Sequence, residues 1–228
     1  MAKIKFGALV VDGRGKVGGH VLSNNRAGSY IRTKVTPGNP NTSYQAESRN
    51  RLSTLATAWA GLAAANRLLW NGAVGLFKTT DIFGDVRNPS GFNLFQRLNN
   101  NLLRIGIAMI TAPPTPVALP VITTGVVTAT AGGALIVTFT ADPDMTATEI
   151  QVDATPALGP GKSFVKSEFR MIGIAPAIVA HVMTLTTLYS AKFGVVGAAG
   201  KQIFIRLKQV SKTTGQAGIP VIYSDVIS

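Results

Sequence analysis

The chain predicts an α+β fold, in which a glycine-rich basic β arm and short helices precede an all-β C-terminal body. Three observations carry this reading. In the first forty residues, short apolar or β-branched runs lie between glycine-containing turns, the pattern of short strands. From Thr42 to Gly106, apolar residues recur every three or four positions, as amphipathic helices require. Beyond Pro120, alternation with a period of two takes over and turn signals recur regularly. The expected divisions are a basic β arm over 1–41, a helical region over 42–110, a proline-rich linker over 111–120 and a β body over 121–228.

Within the arm, strands are expected at about 4–11, 17–23 and 29–35, with turns at Gly13–Gly15 and Asn24–Gly28. Gly13, Gly15 and Gly18 have the G-x-G-x-x-G spacing of a dinucleotide-binding loop, but its context is wrong. Such a loop needs a helix starting behind it to hold the pyrophosphate, and an acidic residue about 20 positions on to hold the ribose. His20 to Arg32 reads as strand, and Arg32 to Ser43 holds no Asp or Glu. A P-loop needs Ser or Thr after its lysine, and Lys16 is followed by Val17. These glycines are therefore expected to serve turns. Strands this short and glycine-rich bury little surface, so the arm is expected to need a partner.

Pro37 to Thr42, with two prolines and a glycine, breaks the chain. Thr42 and Gln45 then form a capping-box pair, and a helix over about 43–61 places Leu52, Leu55, Ala56, Trp59 and Leu62 on one side. Glu47, Arg49, Asn50 and Arg51 are expected on its solvated or partner-facing side. A second helix covers about 63–74 with Leu68, Leu69 and Trp70. A third runs from Ser90 as N-cap to the stop at Gly106, aligning Phe92, Phe95, Leu98, Leu102 and Ile105. Leu52, Leu55, Trp59, Trp70, Phe92 and Phe95 are the expected helix-packing residues, since helical spacing is what packing demands.

Pro113, Pro114, Pro116 and Pro120 mark an extended linker. Strands are then expected at 121–130, 134–140, 147–155, 164–174, 178–185, 201–211 and 219–227. Seven strands at this spacing resemble a fibronectin type III or immunoglobulin-like sandwich without a disulfide. Folds of this class host many functions and name none.

The charge balance is uneven. The 228 residues carry 22 basic and 10 acidic groups, a net +12. Lys3, Lys5, Arg14, Lys16, Arg26, Arg32 and Lys34 precede residue 41, with Asp12 as the only acid there. Residues 112–228 hold eight basic against six acidic groups and are nearly balanced. A basic arm suits nucleic acid or an acidic partner subunit. Neither a basic amphipathic helix nor an apolar run of about 18 residues points to a membrane, and the first residues do not read as a signal peptide. With no cysteine, disulfide and thiolate chemistry are excluded.

No constellation of catalytic residues emerges. His20 and His181 lie in different segments, and His181 reads as a strand histidine flanked by apolar residues. No serine sits in a nucleophile elbow. Asp142 with Asp144, and Asp81 with Asp85, suit loop capping better than a glycosidase pair, and a full calcium-loop spacing is missing. The expectation is a non-enzymatic protein with no cofactor, metal or small-molecule substrate. Its expected assembly or polyanion contacts are Lys3, Lys5, Arg14, Lys16, Arg26, Tyr30, Arg32 and Lys34.

Several motifs together carry a resemblance over roughly residues 7–105. They are Gly15-Lys16-Val17-Gly18-Gly19, Gly28-Ser29-Tyr30-Ile31-Arg32, Pro37-Gly38-Asn39-Pro40-Asn41-Thr42, Arg51, Trp59, Trp70-Asn71 and Ser90-Gly91-Phe92-Asn93-Leu94-Phe95. As a set these resemble phage and prophage virion structural proteins. The resemblance implies a component of the particle, whether head decoration, minor capsid, neck or tail, made in the host cytoplasm and assembling with copies of itself and other virion proteins. Two further functions compete with it: a packaging protein whose arm contacts the genome, and a carbohydrate-binding or adhesive module built on the β body.

Overall fold

The computed structural model describes residues 2–8, 12–25, 28–36, 38–80, 84–122 and 125–228. The chain is a mixed helix and sheet protein in which every sheet is antiparallel, and it divides into two compact units, Met1–Ala46 and Glu47–Ser228.

The first unit holds a four-stranded sheet of β1 (Ala2–Lys3), β2 (Gly15–Val17), β3 (His20–Asn25) and β4 (Gly28–Thr33), in the order β1-β4-β3-β2. Two expectations change here. The segment expected as one strand over 17–23 is divided by a hairpin, because Val17 pairs with His20 and leaves Gly18-Gly19 as a two-residue loop. Gly18 takes φ +54, the left-handed backbone that such hairpin turns need and that glycine adopts at least cost. Gly15, expected in a turn, is the first residue of β2. The strand expected over 4–11 is also displaced: β1 is Ala2–Lys3, residues 4–8 carry no strand, and 9–11 lie outside the described residues.

Helix α1 (Ser43–Gly61) starts as its sequence demands. The Thr42 amide donates to Gln45 Oε1 at 3.2 Å and the Gln45 amide to Thr42 Oγ1 at 3.4 Å, a reciprocal capping box. Helix α2 (Ala64–Ala73), the short hairpin β5 (Thr79–Thr80) and β6 (Val86–Arg87), and α3 (Gly91–Arg104) follow. Ser90 caps α3 by accepting from the Asn93 amide at 3.2 Å. The helices share an aromatic core in which Leu55, Trp70, Leu94, Phe95 and Leu98 are buried. Trp70 meets Phe95 edge-on with ring centroids 5.3 Å apart, and Trp59 tilts against both Phe92 and Phe95.

The packed stripe of α1 runs through Arg51, Leu55, Ala58, Trp59 and Leu62, at i, i+4, i+7, i+8 and i+11. Leu52 lies one position off that stripe and is 49% exposed, so it is not the core residue its spacing suggested. Arg51, expected on the solvated side, is on the packed side with its Nε buried, and its guanidinium pairs with Glu47. Leu68 and Leu69 are likewise exposed, and α2 buries Trp70 alone.

The segment after α3 is stapled to the helices by polar groups. Asn99 is fully buried, its Nδ2 donates to the carbonyls of Phe95 and Ile110, and its Oδ1 accepts from the Ile110 amide at 2.7 Å. Trp70 Nε1 donates to the Thr111 carbonyl at 2.8 Å, fixing the chain where the prolines begin.

Seven strands follow: β7 (Gly125–Ala129), β8 (Leu135–Phe139), β9 (Thr148–Ala154), β10 (Arg170–Ile174), β11 (Val182–Thr184), β12 (Gln202–Ser211) and β13 (Val221–Val226). They form one sheet in the order β11-β8-β7 and another in the order β10-β9-β12-β13. Alternate residues of both sheets, Val127, Leu135, Val137, Ile150, Val152, Ile203, Ile205 and Leu207 among them, fill one shared core. A helix absent from the expectation, α4 (Thr186–Phe193), lies between β11 and β12 and buries Tyr189 in that core. The segment was hard to read because the helix is only eight residues long and its β-branched Thr186 and Thr187 favour strand. Within this unit the α3 helix packs against the β strands, with Leu102 and Ile105 against Val210 and the Asn101 side chain donating to the Gly215 carbonyl at 2.9 Å.

Candidate functional site

The expected contact residues sit on the arm, and the ladder fixes where each points. Lys3 is on β1, Lys16 on β2, and Tyr30 and Arg32 on β4. Residues directly opposite in an antiparallel pair project to the same side. Lys3 is opposite Tyr30, and Tyr30 is opposite Ser23. In the next row, Lys16 is opposite Val21, which is opposite Arg32. Lys3, Lys16, Tyr30 and Arg32 therefore share one face.

The pairing runs on at both ends. The Ile4 amide donates to the Ser29 carbonyl at 3.0 Å and the Lys34 amide to the Gly19 carbonyl at 2.8 Å. Lys5 and Lys34, two residues beyond Lys3 and Arg32, thus take the same parity. All five cations are exposed and none makes an ion pair among the described residues. Arg14 differs, since its Nε donates to Asp12 Oδ2 at 3.1 Å, and Asp12 also accepts from the Gly13 amide. Arg26 lies outside the described residues.

The opposite face holds the arm's apolar row, flanked by the polar pairs His20 with Thr33 and Asn24 with Ser29. Ala2, Ile31 and Leu22 form one row across it with Gly15. Phe6 lies against Gly13, where a Cβ would come within 2.8 Å of its ring and 3.6 Å of Leu22 Cδ1. Leu22, Ile31 and Phe6 are all only half-buried, and no described residue of the first unit is buried.

A second cationic group, not foreseen from the sequence, lies on the face of the β10-β9-β12-β13 sheet opposite its shared core. Arg206 Nε and Nη2 both donate to Asp153 Oδ2, at 2.9 and 2.7 Å, and its guanidinium stacks on the Phe169 ring 4.6 Å away. Asp153 is almost wholly buried and also accepts from Gln151 Nε2 at 2.9 Å. Lys208 stands opposite Gln151 across the ladder. Burial, with Arg104 nearby, lowers the Lys208 pKa below its usual 10.5. Burial also lowers that of Arg104, against the opposing effect of Asp153. The available signal was Arg206-x-Lys208 at strand spacing, but nothing local says that a helix end will bring Arg104 to them.

The remaining candidates resolve into loop structure. His181 is not in a strand. It occupies a turn at φ +66 beside Ala180 at φ +50, between the paired Val179 and Val182, and its Nδ1 lies 3.0 Å from Asp142 Oδ1. Asp144 accepts from the Thr146 amide, which lowers its pKa. Asp81 lies outside the described residues. His20 begins β3 and is exposed. Among the described residues no group of three His, Asp or Glu could hold a metal ion, and no helix is long and apolar enough to cross a membrane.

No family model matches this chain, and no curated protein and no solved structure matches it.

Proposed function

We propose that the protein is a non-enzymatic structural component of a phage virion, which joins its neighbours through the N-terminal arm. One observation carries the reading: the arm is a four-stranded sheet with an apolar row on one side and no buried residue among those described. A sheet of this size without a buried face is marginal alone, and Leu22, Ile31 and Phe6 supply the apolar patch that a partner subunit would cover. The edge strand β2 leaves backbone groups open to strand addition, which gains hydrogen bonds without side-chain specificity. The helical region adds exposed Leu68, Leu69 and Leu76 as a further apolar surface.

The C-terminal body is read as a fibronectin type III or immunoglobulin-like sandwich. Its three-plus-four division of antiparallel strands over one core supports this. In such a particle protein the body is the exposed module, and the arm is the anchor.

Deleting residues 2–40 tests the reading. The truncated chain is expected to stay soluble and folded, with the circular dichroism of its β body intact, and to be missing from purified particles. Normal incorporation of the truncated chain would refute the anchoring role. A particle fraction containing none of the full-length chain would refute the virion assignment itself.

A further inference from the structure

We propose that the cationic face of the arm sheet seats the phosphate backbone of duplex nucleic acid. This goes beyond the virion reading and uses the opposite side of the sheet from the one assigned to subunit contact. The basic residues on this face occur as Lys3-x-Lys5 and Arg32-x-Lys34, each pair two residues apart and so on one side of its own extended segment, with Lys16 on β2. The register then brings the three strands together in phase, placing Lys3, Lys5, Lys16, Arg32 and Lys34 on a single face. A one-residue slip of any strand would have sent its cations to the apolar side.

Three features select nucleic acid as the occupant. The chain carries +12, so a second copy meeting this face would be repelled. The arm's single carboxylate, Asp12, is engaged by Arg14 and the Gly13 amide, and the five cations make no ion pair among the described residues. Four of the five are lysines, which protein–protein interfaces deplete and phosphate contacts favour. Tyr30 is the one aromatic on this face, too few for the series of stacking platforms that single strands use, so a duplex is favoured.

The test is fluorescence anisotropy of the full-length protein with a labelled mixed-sequence DNA duplex of about 20 base pairs. Neutralising five phosphates gives a slope of log affinity against log salt of about −4.5, hence about 500-fold weaker binding at 200 than at 50 mM salt. Changing Lys3, Lys5, Lys16, Arg32 and Lys34 to Ser is expected to reduce low-salt affinity more than 100-fold. The same number of serine changes at exposed Lys78, Arg87, Lys166, Arg170 and Lys201, which alters net charge equally, is expected to reduce it less than 10-fold. Replacing the four face lysines with Arg is expected to retain binding, which guards against loss through misfolding.

Wild-type protein that does not bind at low salt overturns the proposal and turns the face toward an acidic protein surface. Equal losses in the two serine sets, or loss in the Arg set, also overturn it. Leu22→Ser with Ile31→Ser separates this idea from the anchoring role, since it is expected to block particle incorporation and leave DNA affinity unchanged.

Discussion

Asn99→Leu provides a direct test of how the helical region holds the start of the proline-rich segment. Asn99 is fully buried, and its amide makes both hydrogen bonds to the Ile110 backbone, with Nδ2 donating at 3.2 Å and Oδ1 accepting at 2.7 Å. Leucine keeps the branched outline of asparagine with slightly larger methyl ends, so no cavity opens and the loss is chiefly polar, with some crowding added. The Phe95 carbonyl is a helical acceptor and loses only an extra partner, whereas the Ile110 amide and carbonyl lose the partners described for them. Each such bond is worth about 1 kcal/mol net, and part of the desolvation cost of a half-buried amide is added, giving about 2–3 kcal/mol in all. For a folded unit of this size, each kcal/mol moves Tm by about 2–4 °C, so a fall of about 6 °C or more is expected by differential scanning calorimetry. Amide exchange should report the same event locally, with Ile110 losing protection before the α3 core. A Tm change under 2 °C with Ile110 protection intact would refute the clamp.

Three further outcomes follow from the same packing. At Gly91, a Cβ would run into Asn71 Oδ1 and lie 2.9 Å from the Asn71 backbone nitrogen; Gly91→Ala is therefore expected to cost about 1–3 kcal/mol in urea unfolding, as overpacking does, and an unchanged midpoint would show that α2 and α3 can separate. Asp153→Ala leaves Arg206 facing Arg104 and Lys208 without its carboxylate and should cost about 3 kcal/mol, most of it recovered by adding Arg206→Met. Lys208 has its pKa lowered by burial, so between the folded value and 10.5 the unfolded chain binds more protons and stability rises with pH. Above pH 10 the opposite holds for Tyr189 and Tyr223, whose pKa values burial raises. Denaturant midpoints should climb toward pH 10 in wild type and climb less in Lys208→Met, and parallel curves would contradict the assignment.

Much of the architecture follows from local pattern. The Thr42–Gln45 box, the Ser90 cap and the glycine stop after α3 set helix ends through neighbouring atoms, and alternation in the β body marks core residues because the pleat has a period of two. What escaped that pattern depended on residues distant in sequence. Leu52 and Leu55 have equal claims to burial by spacing, and only the position of the α2 and α3 rings selects Leu55. Arg51 looked solvated until its helix was set against its neighbours.

The arm shows the same division most clearly. Composition alone makes it basic and glycine-rich, and the missing helix and acidic partner remove the nucleotide-loop reading of Gly13, Gly15 and Gly18. The spacing of Lys3 with Lys5 and of Arg32 with Lys34 puts each cationic pair on one side of its own extended segment, because alternation is a property of a single extended chain. It cannot say which side, or that the sides agree among strands. That depends on the two-residue turn at Gly18-Gly19, which sets the local hairpin register, and on Lys3 lying opposite Tyr30, which rests on hydrogen bonds between segments far apart in sequence. Pairing register is a tertiary property, and it alone separates a cationic face from an apolar one.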